Sequence, residues 1–106
     1  MQIQFLYYED CPSHETALDR LNQVMREENI NADPEVIKVE TDEQAQEWRF
    51  VGSPTILVNG TDIDPPPDGA QYALTCRAYR LESGRISPLP SPDTIRRALV
   101  QKNTAQ

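Results

Sequence analysis

The chain opens on a run of apolar and aromatic positions, Ile3, Phe5, Leu6, Tyr7 and Tyr8, interrupted only by Gln4. A run this short, built from β-forming side chains, predicts a buried strand over 2–8. It stops at Glu9-Asp10-Cys11-Pro12, where Asp10 can cap a helix and Pro12 fits the first turn because it has no N–H to leave unpaired. Ala17, Leu18, Leu21, Val24 and Met25 then recur at three-to-four spacing with charged residues between them. That period predicts an amphipathic helix fading near Asn29. The β-branched run Val36-Ile37-Lys38-Val39 predicts a second strand, followed by a short helix from Glu43 to Arg49 with Ala45 and Trp48 inward. Thr55-Ile56-Leu57-Val58 reads as a third strand, closed by Asn59-Gly60, two residues that both accept positive φ.

Residues 61–75 carry a triple proline and Asp68-Gly69 without periodicity. A connection this long is a functional or a mobile segment. Cys76 to Glu82 predicts a fourth strand, turned by Ser83-Gly84 into a short extension at Arg85-Ile86. Ser91-Pro92-Asp93 opens a terminal helix with Ile95, Ala98 and Leu99 inward, and residues 102–106 are expected to fray. The order β-α-β-α-β-β-α makes this an α/β chain with one central mixed sheet and helices on both faces. Its first two strands are joined by a right-handed parallel crossover, and its later two pair as an antiparallel hairpin.

The 106 residues suit one domain, over 1–101, with enough length for a core that needs no metal or disulfide staple. The net charge of −7 argues against nucleic acid as a partner, since phosphate binding needs a basic face. Acids crowd the first half, and the second half holds the arginines Arg77, Arg80 and Arg85, which read as a solvated strand face. Asp62-Ile63-Asp64 reads as a solvated turn sooner than as a hard-cation site. The start of the chain lacks a basic region followed by a long apolar stretch, and no apolar run approaches the ~20 residues that cross a bilayer. The expected location is therefore the cytoplasm, away from membranes, where Cys11 and Cys76 would stay reduced.

Cys11 stands at the first strand-to-helix junction. A sulfur there faces unpaired N–H groups and the positive end of the helix dipole, both of which favour thiolate. Glu9, Asp10 and Glu15 act in the opposite sense, and the plain alternative is a small buried residue ending a strand. His14 can stabilise the thiolate as an imidazolium, serve as its general base, share a soft-metal site, or be a polar first-turn residue. Cys76 is either a second, resolving thiol or a buried strand residue, depending on whether the 61–75 loop carries the chain back toward Cys11. No Gly-rich phosphate loop, paired ligand spacing or Ser/His/Asp set is present, so neither a metal nor a cofactor is expected.

Together, Cys11-Pro12-Ser13-His14, Gly52-Ser53-Pro54-Thr55 and the element order resemble the thioredoxin-like superfamily over nearly the whole chain. The resemblance implies a thioredoxin-like βαβαββα fold with Pro54 cis and lying against Cys11. It also implies that Ser53 offers backbone hydrogen bonds to an extended thiol substrate. His14 occupies the position where dithiol oxidoreductases of that family carry their second cysteine. The longer pattern, with Asn59-Gly60-Thr61-Asp62, Cys76-Arg77-Ala78-Tyr79-Arg80 and Gly84, resembles small bacterial thioredoxin-like proteins sometimes labelled alkylmercury-lyase-like. The expected function is thus monothiol-type thiol–disulfide exchange or redox sensing through Cys11, tuned by His14. Its substrate would be a thiol or disulfide such as glutathione or a protein thiol. Two alternatives stand beside it: a non-catalytic binding module using the Ser53-Pro54 groove, and a mercury or soft-metal handler using Cys11, Cys76 and Asp10.

Overall fold

The computed structural model describes the backbone of residues 1–104 and the side chains of residues 1–100. Strand β1 (Ile3–Tyr7) lies inside a four-stranded sheet ordered β2-β1-β3-β4, with β2 at Glu35–Lys38, β3 at Thr55–Val58 and β4 at Thr61–Asp62. Phe5 pairs with Val36 in the parallel β1–β2 ladder and with Ile56 in the antiparallel β1–β3 ladder. A parallel pair needs a crossover, and helix α1 (His14–Glu27) supplies it.

Side chains alternate between the two faces of a strand, and this alternation divides the core. Ile3 and Phe5 join Ile56 and Val58 beneath Leu21, Val24 and Met25 of α1 and Ile95 and Leu99 of α3 (Pro92–Thr104). Leu6 points the other way and packs with Val39, Phe50 and Ala45 of α2 (Asp42–Trp48). The result is a mixed α/β sheet with helices on both faces.

Local chemistry sets the helix ends. Thr41 and Gln44 form a capping box at α2, with the Thr41 hydroxyl accepting from the Gln44 N–H at 3.1 Å. At the end of α1, Asn29 takes φ 56° and the Ile30 N–H reaches back to the Met25 carbonyl at 2.8 Å. The Ser91 hydroxyl accepts from the Thr94 N–H at 3.0 Å and caps α3.

Two boundaries depart from the sequence reading. Helix α1 begins at His14, with Ser13 as a cap that makes no side-chain bond, and not at Pro12. Asp10 cannot cap it: its carboxylate accepts the Tyr8 hydroxyl at 2.9 Å, and the Cys11 N–H closes a turn onto the Tyr8 carbonyl at 3.0 Å. The second departure concerns the fourth strand. The Asn59-Gly60 turn, with φ 52° and 82°, returns the chain at once into β4, so the hairpin partner of β3 is Thr61–Asp62 and not 76–82. Within 76–82, only Tyr79–Arg80 (β5) forms a strand, and it pairs with Ile86–Ser87 (β6) in a separate ribbon.

Helix α3 carries its backbone to Thr104, and residues 105–106 of the expected frayed tail lie outside the described residues. Among the described residues no helix is long and apolar enough to cross a membrane.

Candidate functional site

After β4 the chain does not stay at the far end of the sheet. Tyr72 and Leu74 pack against the α2 core, and the Ala73 N–H donates to the Phe50 carbonyl at 3.0 Å. These contacts lead residues 73–77 alongside Phe50–Ser53, where Cys76 forms a parallel bridge with Ser53. There Cys76 is joined to Cys11 by a disulfide with a Cα–Cα distance of 5.7 Å, inside the range such a bond requires. The two halves differ in access: Cys11 is 1% exposed, while Cys76 is an exposed residue.

The Ser53–Pro54 peptide is cis. Ser53 itself is fully buried, and each of its polar groups has a partner inside the chain. Its N–H donates to the Thr75 carbonyl at 2.7 Å, its carbonyl accepts from the Arg77 N–H at 2.9 Å, and its hydroxyl accepts from the Tyr8 N–H at 2.9 Å. The Ser53 backbone, expected to hold an extended substrate, thus holds the chain's own Thr75–Arg77 segment. The Cys11 sulfur lies 3.7 Å from the Ser53 carbonyl oxygen, a contact that gains an S–H donor once the disulfide opens.

Arg77 anchors that segment. It is only 7% exposed, in contrast to the solvated face expected of it, whereas Arg80 and Arg85 are exposed. Its guanidinium binds the Asp62 carboxylate through two nitrogens, at 2.9 and 3.2 Å, and donates to the Thr55 hydroxyl at 3.2 Å. It also stacks 4.6 Å over the ring of Tyr79, whose hydroxyl donates to the Pro54 carbonyl at 2.6 Å. Burial pushes the Tyr79 hydroxyl far above its ordinary range, so it stays a protonated donor. Asp62, whose side chain is 12% exposed, is therefore the counter-ion of Arg77 and not part of a solvated turn. A paired, hydrogen-bonded charge can be buried where a lone one cannot.

His14 does not turn its Nδ1 to sulfur. That nitrogen lies 2.8 Å from the Cys11 carbonyl oxygen, and the ring stacks on Tyr7 with centroids 4.5 Å apart. Because a carbonyl only accepts, Nδ1 carries a proton, and the imidazole braces the turn that presents Cys11. The acids beside Cys11 have partners of their own. Glu9 pairs with Lys38 at 2.8 Å, which raises the Lys38 ammonium above its usual range, and Asp10 holds the Tyr8 hydroxyl.

Thr55, Asp62, Arg77 and Tyr79 were missed as partners of the site because their meeting depends on the path of a loop with no periodicity. The available signal was the arginine directly after Cys76, two residues before a tyrosine. Among the described residues no group of three or more His, Cys, Asp or Glu side chains is placed to hold a metal ion. The chain matches no family model, no curated protein and no solved structure.

Proposed function

We propose that this protein is a thioredoxin-like thiol–disulfide exchange protein that cycles between a Cys11–Cys76 disulfide and the two free thiols. The observation that carries the reading is the disulfide itself, formed where the end of β1, the cis Ser53–Pro54 peptide and the returning 73–77 segment converge. The sheet order β2-β1-β3-β4, with one parallel and two antiparallel ladders, suits a thioredoxin-like arrangement. With Cys76 as its partner, Cys11 works as half of a dithiol pair, and the exchange needs no second cysteine at the position of His14. The expectation that both cysteines stay reduced is overturned by the disulfide, and a cytoplasmic location then requires a pair that opens and closes, the kind of disulfide found there.

Equilibration in glutathione buffers of graded potential, followed by acid quench and alkylation of free thiols, tests this. Exchange predicts a reversible two-electron transition of the folded protein within the range of cellular glutathione poise, about −200 to −300 mV. A bond that resists millimolar glutathione until the protein is unfolded would be a structural staple, and the reading would fall. Thiols that never pair would overturn it equally.

A further inference from the structure

We infer that Cys76, and not Cys11, is the sulfur an outside thiol engages, and that this thiol belongs to a small molecule and not to an extended peptide. The inference rests on the exchange reading and specifies which sulfur exchanges and with what.

Three observations carry it. The first is access, since Cys76 is exposed and Cys11 is 1% exposed beneath it. Exchange rates follow which sulfur can be reached. The second is occupancy. A peptide laid beside Ser53 would need its N–H and carbonyl, and Thr75 and Arg77 already hold both, at 2.7 and 2.9 Å. The third is anchorage that does not depend on sulfur. Arg77 is tied to Asp62, Thr55 and the Asp64 carbonyl, and Tyr79 to the Pro54 carbonyl, so the segment keeps these attachments when the disulfide opens. Breaking the bond therefore leaves Cys76 at the surface and Cys11 below it, while the Ser53 backbone stays filled.

An outside thiolate attacks the Cys76 sulfur, forming a mixed disulfide there, and the Cys76–Cys11 bond breaks with its electron pair leaving on Cys11 as thiolate. A second molecule of the thiol, deprotonated, attacks the outer sulfur of the mixed disulfide. It releases the small-molecule disulfide and leaves Cys76 as thiolate, and the Cys11 and Cys76 thiolates take up protons according to pH. Two thiols are oxidised and the protein disulfide is reduced; the reverse sequence reduces a small disulfide at the expense of the protein dithiol.

The test treats the oxidised protein with excess glutathione, quenches in acid, alkylates with N-ethylmaleimide and maps the peptides. The expected result is glutathione on Cys76 and the alkyl label on Cys11, favoured by at least about tenfold. Glutathione chiefly on Cys11 would overturn the inference and leave the exchange reading standing. Absence of any adduct and of any reduction would overturn both. A second measurement uses the reduced C11S and C76S variants with an aromatic disulfide reagent, their folding checked by circular dichroism. C11S, which retains Cys76, should react at least about tenfold faster. Equal rates in two folded variants would overturn the assignment, and an extended cysteine peptide that reduces the oxidised protein faster than glutathione does would overturn the small-molecule half. If either variant fails to fold, the peptide map of the intact protein decides alone.

Discussion

A Cβ placed on Gly52 would meet the Arg77 Cα and backbone nitrogen at 2.8 Å, closer than real side chains approach a backbone. Gly52 also holds φ +150°, a conformation that L residues rarely adopt. Glycine here lets the 76–77 backbone lie directly on the chain ahead of the cis peptide. Gly52→Ala is expected to cost about 1–3 kcal/mol through overpacking, with added backbone strain. It should also speed alkylation of Cys11 in the reduced protein, because the displaced segment uncovers it. Urea unfolding and timed alkylation check the two effects together.

The pairing of Arg77 with Asp62 makes a sharper demand. Removing one member strands the other in a buried setting, a change that costs about 3–5 kcal/mol. Arg77→Met should therefore destabilise strongly, while the double variant Arg77→Met with Asp62→Leu should recover much of the loss. Arg77→Lys, which keeps the charge but not the two-nitrogen geometry, should fall between them. Denaturant midpoints of the four proteins decide the order.

The disulfide joins residues 65 positions apart, so its loss should release loop-closure entropy in the unfolded chain. Reduction is expected to lower unfolding stability by about 2–4 kcal/mol without abolishing the fold, since Arg77 and Tyr79 still hold the segment. Thermal melts with and without reductant, monitored at Trp48, measure the difference. A disulfide with no effect on the melting temperature would contradict the expectation.

How much of this was legible in sequence follows the range of each interaction. β1, α1, β3 and the Asn59-Gly60 turn were readable because hydrophobic period and φ preference are local. Thr61–Asp62 was not readable as a strand, since two residues carry no period. The meeting of Cys11 with Cys76 depended on where Tyr72 and Leu74 find apolar surface, a tertiary fact. The burial of Arg77 was hidden for a related reason: an arginine reads as exposed until its counter-ion, fifteen residues upstream, is known to face it.

Glu82 supplies a test by pH. Its carboxylate accepts from the Ser91 hydroxyl at 3.0 Å, and this bond, with help from Thr94 and Arg97, lowers its pKa below the ordinary 4.5. A depressed folded-state value means the native protein releases this proton more readily than the unfolded one. The stabilisation is thus complete above 4.5 and lost as pH falls through the folded value. Parent and Glu82→Gln should differ in melting temperature at pH 7 and converge toward pH 3. A constant difference across that range would exclude the carboxylate as the cause.

The proton on His14 Nδ1 can be read directly. Its 2.8 Å contact with the Cys11 carbonyl predicts that the neutral ring is the Nδ1–H tautomer, visible as a characteristic pair of nitrogen-15 shifts. The opposite tautomer would mean that the ring does not brace the Cys11 turn in solution.

The Cys11–Cys76 bond also closes the chain into a covalent ring that contains α1, β2, α2, β3 and β4 but excludes both termini. β1 lies outside this ring and yet between two of its strands, hydrogen-bonded to β2 on one side and to β3 on the other. The polypeptide between the two cysteines is therefore topologically redundant while the bond exists. A single proteolytic nick in the exposed stretch around Pro67–Gly69 would leave the oxidised protein in one covalent piece and the reduced protein in two, so the redox state determines whether one cut can sever the molecule.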